Sequence, residues 1–298
     1  MKITLRQLEV FNAVATQGQV TKAAQAVAMT QAAASMALAD LEQQLGAVLF
    51  DRVGRQLMLN DTGRTLLART RDVLDRVRDI ETVAQGEASV FDLNLGASVT
   101  IGNHLLPDLI ASLRHHYPNG RLHIARYNSE QVMAHLKSFQ IDLGFVEGPA
   151  DDEDIRRLPW REDRLTLFAV PAHPLAGRTL SGSELGAVNW IVREQGSGTR
   201  EVLERACADA RIDPNITLEL EQPEAIRQCV KAGLGIGCLS ELELDDAFRA
   251  GTLVPLDVPA LDMRRHLDIV IHRQKYVSRG LAAILDECGV ADILADHR

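Results

Sequence analysis

The chain has no run approaching the roughly 18 apolar residues of a membrane-spanning helix, so no span is expected. Its start, MKITLRQLEVF, is charged and helix-periodic and lacks the apolar core of a secretory signal. Cysteine is scarce. Cys207, Cys229, Cys238 and Cys288 fall at irregular spacings with no CxxC pair, which favours reduced, buried thiols and the cytoplasm over disulfides or zinc. The nine histidines form no HExxH or other metal spacing, and no GxSxG nucleophile elbow is present. Carboxylates are abundant but scattered along helix faces. With no catalytic constellation and no metal or cofactor motif, the expectation is a protein that is not an enzyme and carries no cofactor. Internal repeats and low-complexity tracts are also missing.

What is present bounds the answer further. At 298 residues, 46% hydrophobic and 24% charged, the chain has globular composition and is long enough for two or three units. Its net charge of −9 argues against a general nucleic-acid coat protein. The balance is uneven: residues 1–60 hold five basic and four acidic groups, and the rest of the chain holds 27 against 37. Any DNA contact must therefore sit at the N-terminal end, where a dimer or tetramer would combine weak half-site affinities.

One stretch stands out, QVTKAAQAVAMTQAAASMALADLEQQLGAVLFDR over residues 19–52. Val20, Ala23, Ala24 and Val27 give one helical stripe and Ala34, Leu38, Leu41 and Leu45 a second, which ends at Gly46. Two short helices joined tightly at Ala28-Met29-Thr30 are either an αα-hairpin of an ordinary helical domain or a helix-turn-helix, whose second helix would lie in a major groove; the face opposite the leucine stripe favours the second. Opposite the leucine stripe lie Ala32, Met36 and Gln43, with Ala33, Ser35, Ala39 and Asp40 on the flanks. Small residues permit close approach, and apolar ones can touch thymine methyls. Thr30 and Gln31 sit at the helix start, where free N–H groups can meet a phosphate. Leu5, Leu8, Phe11 and Ala15 make a first helix ended by Gly18. Val48 to Leu59 read as two short strands around Gly54, a wing, whose Arg52 and Arg55 are placed for phosphate or minor-groove contact. Lys22 and Arg6 are weaker phosphate candidates.

From Asp61 a long helix begins, with Leu66, Thr70, Val73, Val77, Ile80 and Ala84 in the alternating steps of a coiled-coil seam and charges on its other faces. Gln85-Gly86-Glu87-Ala88-Ser89 reads as a hinge. Beyond residue 90, short strands alternate with helices of about ten residues, the pattern of a parallel α/β sheet. HLDIVIHR and the helix after it fit a return crossing, giving two lobes around a cleft.

In such sheets ligands bind beyond the strand ends, where helix N-termini converge. Three places qualify: Ser98 to Asn103 with Thr100, Arg193 to Arg200, and Gln222 with Pro223 and Glu224. In the second, Gly196 and Gly198 expose N–H groups beside Gln195, Ser197 and Thr199. Glu147 would line the opposite wall. Each taken alone is more commonly an N-cap or turn; their convergence on one cleft is what favours a site.

The residues 20–52 resemble the DNA-binding motif of LysR-type transcriptional regulators, and the length and element order of the rest agree. Two positions depart: Ala32 stands where the family often has proline, and Met36 to Ala39 carries no base. REQGSGTRE resembles the effector segment of the subset that includes sulfur-assimilation and carbon-fixation regulators. The resemblance implies a multidomain α + α/β protein. Its parts would be a winged helix-turn-helix (1–60), a linker and dimerisation helix with hinge (61–89), and a two-lobed effector domain of the periplasmic-binding-protein type. Lobe 1 would be 90–161 plus 266–298, and lobe 2 would be 162–265. It also implies double-stranded promoter DNA, RNA polymerase, a homodimer assembling to a homotetramer, and a small anionic effector such as a sulfur oxyanion or phosphate. Carried over by position, Ser98 and Thr100 would hold the anion from one lobe and Gln195 to Thr199 from the other. The competing expectation is a cytoplasmic solute-binding protein whose N-terminal bundle only oligomerises.

Overall fold

The computed structural model describes residues 2–54, 56–84, 91–149 and 152–292. Helix α1 (Leu5–Gln17) opens with a capping box in which Thr4 Oγ1 accepts from Gln7 N and the Gln7 side chain accepts from Thr4 N. Helices α2 (Val20–Ala26) and α3 (Gln31–Leu45) follow, with Ala28 in left-handed conformation (φ 51°) at the turn between them. Ala23, Ala24, Ala34, Leu38 and Leu41 are buried against Val10, Phe11 and Leu49, so the two predicted stripes make the core. Strands β1 (Phe50–Val53) and β2 (Gln56–Leu59) pair antiparallel as the wing.

Helix α4 (Asp61–Ala84) is 24 residues long, and Asn60 Oδ1 accepts from Gly63 N at its start. Its inner face buries Leu67, Ala68, Thr70 and Leu74. Thr70 therefore does not belong to the outward seam. A helix at 3.6 residues per turn drifts off a strict heptad, which carries this position inward. Val73 and Ile80 do face out, 40% and 67% exposed, with Leu66 and Val77 half-buried. The side chain of Ala84 and the predicted hinge at 85–89 lie outside the described residues.

The remaining elements are β3 (Asp92–Ser98), α5 (Val99–His104), α6 (Leu106–His116), β4 (Arg121–Tyr127), α7 (Ser129–Lys137), β5 (Leu143–Glu147) and β6 (Ile155–Ala169). Then come α8 (Gly182–Leu185), β7 (Asn189–Arg193), α9 (Gly198–Asp209), β8 (Asn215–Leu220), α10 (Pro223–Lys231), β9 (Ile236–Ser240), α11 (Glu241–Arg249) and β10 (Val254–Pro255). Finally β11 (Arg264–His272) and α12 (Arg279–Glu287) return to the first lobe. Among the described residues these strands form one nine-stranded sheet, ordered β4-β3-β5-β11-β6-β9-β7-β8, with β10 beside β6.

The triplets β4-β3-β5 and β8-β7-β9 are parallel, but β6 and β11 run antiparallel to their neighbours. The expected parallel sheet is thus a mixed one, with two crossing strands shared by the lobes. The apolar run RLTLFAV at 164–170 covers only the second half of β6, which begins at Ile155 and includes Pro159. In the structure Pro159 sits at a register shift opposite Leu267 and Asp268, where a missing N–H is tolerated. Each triplet is covered on both faces: Leu95, Leu143 and Phe145 pack on one side of the first lobe, and Val132, Val146 and Val270 on the other. Trp190 and Val192 face one core of the second lobe, and Phe168 and Ile191 the other. Burial on both faces explains the near-continuous apolar runs of these strands.

The linker helix is keyed to the effector unit just after β11. Lys275 Nζ lies 2.7 Å from Asp75 and 2.9 Å from Asp142, and the Lys275 side chain is 3% exposed. Tyr276 N donates to Asp72, its hydroxyl donates to Asp79, and Arg76 stacks 4.2 Å over its ring. Asp72, Asp75, Arg76 and Asp79, among the charges on the other faces of α4, are therefore its docking face. Among the described residues no helix is long and apolar enough to cross a membrane.

Candidate functional site

The first site is the outer face of α3. Gln31, Ala32, Met36 and Gln43 are exposed and Ser35 is half-buried, while Ala34, Leu38 and Leu41 are buried behind them. Gln31 Nε2 lies 3.5 Å from Ser35 Oγ, so the two polar side chains are neighbours one turn apart. Thr30 is the N-cap: its Oγ1 accepts from Ala33 N, which leaves the hydroxyl proton to donate outward. Lys22 on α2 and Arg52 on β1 are exposed. Arg55 lies outside the described residues. Arg6 is tied to Glu9 and to the Val27 carbonyl at the end of α2, which makes it a brace for the turn. Glu42 is occupied too, accepting from Leu49 N at 2.7 Å.

The second site lies between the lobes, and its centre is Glu147 at the end of β5, 1% exposed. Thr100 N donates to Oε1 at 3.1 Å, while Thr199 Oγ1 at 3.0 Å and Arg265 Nη1 at 2.6 Å donate to Oε2. Burial alone would raise this carboxyl. The Arg265 charge, helped by Ser98, Arg193 and Thr199, outweighs it and holds the group at about 2. Ser98 is buried at the same carboxylate, though its hydroxyl makes no well-aligned hydrogen bond. Arg265 also bonds Asp163 at 2.6 Å, and Asp163 accepts from Ser240 Oγ at 2.8 Å. Reading the sequence alone misses Arg265 and Asp163. They sit near the start of β11 and within β6, 102 residues apart, and only the register of those strands makes them opposite.

The other predicted effector residues divide into packing and rim. Gly198 is where the lobes touch: a Cβ there would come within 1.9 Å of the Glu147 carbonyl, so no larger residue fits. Gly196 O accepts from Glu130 N at 3.1 Å, and Gln195 O accepts from Asn128 Nδ2 at 3.4 Å, both across the cleft. Ser197 is buried at the start of α9. Arg193 forms a two-pronged pair with Glu194 and adds its charge to the field at Glu147. Gln222 lines an outer pocket of about 170 Å³ with Val99, Arg126, Tyr127, Asn128 and Glu194. Asn103 is not brought to Glu147; it is exposed and accepts from Arg126 at 2.8 Å. On the flank of the cleft, His104 at the end of α5 meets Glu243 on α11. Burial pushes the Cys207 thiol up to about 11 and Cys288 up to about 12, and raises Cys238 as well, so these thiols stay protonated.

Two family descriptions match the chain: "Bacterial regulatory helix-turn-helix protein, lysR family" over residues 5–64, and "LysR substrate binding domain" over residues 91–291. The chain is a LysR-family transcriptional regulator. The Escherichia coli K12 relative described as "Uncharacterized HTH-type transcriptional regulator YeiE" is 42% identical, aligned over 98% of this chain and 99% of its own. The "RuBisCO operon transcriptional regulator" of Allochromatium vinosum is 30% identical over 95% of this LysR-family chain and 94% of its own. The structure of the Synechocystis PCC6803 CcmR regulatory domain in complex with 2-PG superposes with a TM-score of 0.62 at 27% identity. That alignment covers 68% of this chain and 96% of that one. The helix-turn-helix is thus a DNA-binding unit, which removes the reading of the bundle as a mere oligomeriser, and the α/β unit is a small-molecule-binding domain.

Proposed function

We propose that this LysR-family regulator senses a small anion in the cytoplasm, through the seat between the lobes that its own Glu147 carboxylate occupies. The observation that carries this reading is the convergence of the Thr100 N–H, the Thr199 hydroxyl and the Arg265 guanidinium on one carboxylate. Groups that hold a carboxylate at about 2 suit a sulfite, sulfate, phosphate or small carboxylate equally well. The outer pocket at Arg126 and Gln222 is the way in. An anion that displaces Glu147 removes a bond between lobes, and so changes how the lobes and subunits pack.

On the DNA side, Gln31, Ser35, Met36 and Gln43 face base edges, with Ala32 permitting close approach, while Lys22, Thr30, Arg52 and Arg55 hold phosphates. Residues 1–60 are the DNA-binding part, 61–89 the dimerising linker, and 90–161 with 266–298 and 162–265 the two lobes. Dimers joined through Val73 and Ile80 pair into tetramers that set the spacing of the recognition helices and meet RNA polymerase. Calorimetric titration of the full-length protein with sulfite, sulfate, phosphate and a small carboxylate, against a chloride control, tests the effector. Heat above the control for one of them supports the reading; none for any overturns it. Ser35→Arg is expected to lose specific DNA binding with the oligomer unchanged, and full retention of binding would overturn the base-facing assignment.

A further inference from the structure

The recognition helix is unusual in what it cannot do. Along QAAASMALADLEQQL, residues 31–45, there is no lysine, arginine or histidine. The commonest specific contact to guanine, a bidentate arginine or lysine on O6 and N7, is therefore unavailable to α3. Its exposed charges are of the wrong sign for phosphate: Asp40 is exposed one turn beyond Met36. At the centre of the exposed face stands an apolar side chain, Met36, 67% exposed. Alanines at 32, 33 and 39 surround it, so it is the longest exposed side chain in the middle of the helix. In a major groove the one apolar feature that distinguishes base pairs is the thymine 5-methyl group. Beside it, Gln31 and Ser35 already lie 3.5 Å apart, and a glutamine amide pairs with adenine N6 and N7.

We infer that Met36 is a specificity residue that packs its thioether on thymine 5-methyl groups, so that α3 selects A·T pairs by apolar contact where a basic residue would select guanine. The inference rests on the proposed base-facing assignment of α3 and adds which base that face reads. The flexible, polarisable methionine suits a contact of this kind because it adapts to a methyl group without a fixed hydrogen-bond geometry.

The test begins with duplexes selected from a random-sequence pool by the full-length protein. Each thymine of the selected half-site is then replaced singly by deoxyuridine, which removes the methyl group and nothing else. One or two positions are expected to lose about fourfold in affinity, the worth of one buried methyl. With Met36→Ala that loss disappears at the same positions, and with Met36→Leu it remains. Indifference of the wild type to uracil at every thymine overturns the inference while leaving the DNA-binding assignment intact, as does a uracil penalty that persists in Met36→Ala. Failure to select any sequence overturns both. Should Met36→Ala not fold, the wild-type uracil scan decides alone.

Discussion

His104 Nε2 lies 2.9 Å from Glu243 Oε2, an ion pair that joins a helix of the first lobe to a helix of the second. Its hydrogen bond to Glu243 raises the histidine above its ordinary 6.5; burial opposes this, the charges of Glu243 and Asp246 add to it, and Arg227 on α10 works against it. A raised histidine stabilises the joined lobes fully below 6.5, and that contribution is lost as pH rises through the raised value. The wild-type melting temperature is therefore expected to fall more steeply than that of His104→Gln as pH rises above 6.5. Parallel curves would contradict the latch.

Glu147→Gln leaves Arg265, 4% exposed, with only Asp163 as a charged partner. Removing one side of a buried pair is expected to destabilise by about 3 kcal/mol. Because the wild-type carboxyl is held at about 2, below its usual 4.5, its contribution is present above 4.5 and lost as pH falls through about 2. Acid melting curves of wild type and variant should converge at the low end. Sulfate or phosphate should restore part of the variant's stability at neutral pH, by about 2.7 kcal/mol at a hundredfold excess over Kd. A thermal-shift series with chloride as control reads this.

Gly198→Ala drives a methyl group into the Glu147 carbonyl, a backbone atom that cannot turn aside. The lobes must separate there, at a cost of about 1–3 kcal/mol. Small-angle scattering is expected to show a larger radius for the variant, and calorimetry a lower melting temperature. An unchanged profile would mean that the lobes do not meet at this point in solution.

Ile80→Glu places a charge on the exposed seam of α4 without touching its inner face. Sedimentation should show dissociation to a smaller species, and single chains should keep their circular dichroism. An intact oligomer would place the interface elsewhere.

How much of this can be read from residues alone depends on the range of the interaction. The three N-terminal helices are legible because each is specified within about four residues: a stripe, a cap, a glycine at the end. The strands are legible as strands for the same reason. The crossing of β6 and β11 is not, since Pro159 is acceptable only because of a register shift set by a partner strand a hundred residues later. Thr199 and Ser98 are visible as polar residues at helix starts, but that they meet a carboxylate of the same chain depends on how two lobes close. Helix α11 escapes notice because its cap, Ser240, is also the last residue of β9, so no loop announces it.

Strand β11 carries Arg265 beneath the cleft and delivers Lys275 to the linker helix ten residues later. From Arg265 to His272, at about 3.3 Å per residue, this is a stiff strut roughly 23 Å long, and a turn at His272 then presents Lys275. A change at Arg265, under the proposed effector seat, is thus linked to the long helix through one strand of main chain and the Lys275–Asp75 ion pair. A lever of that length turns a few degrees at one end into more than an ångström at the other.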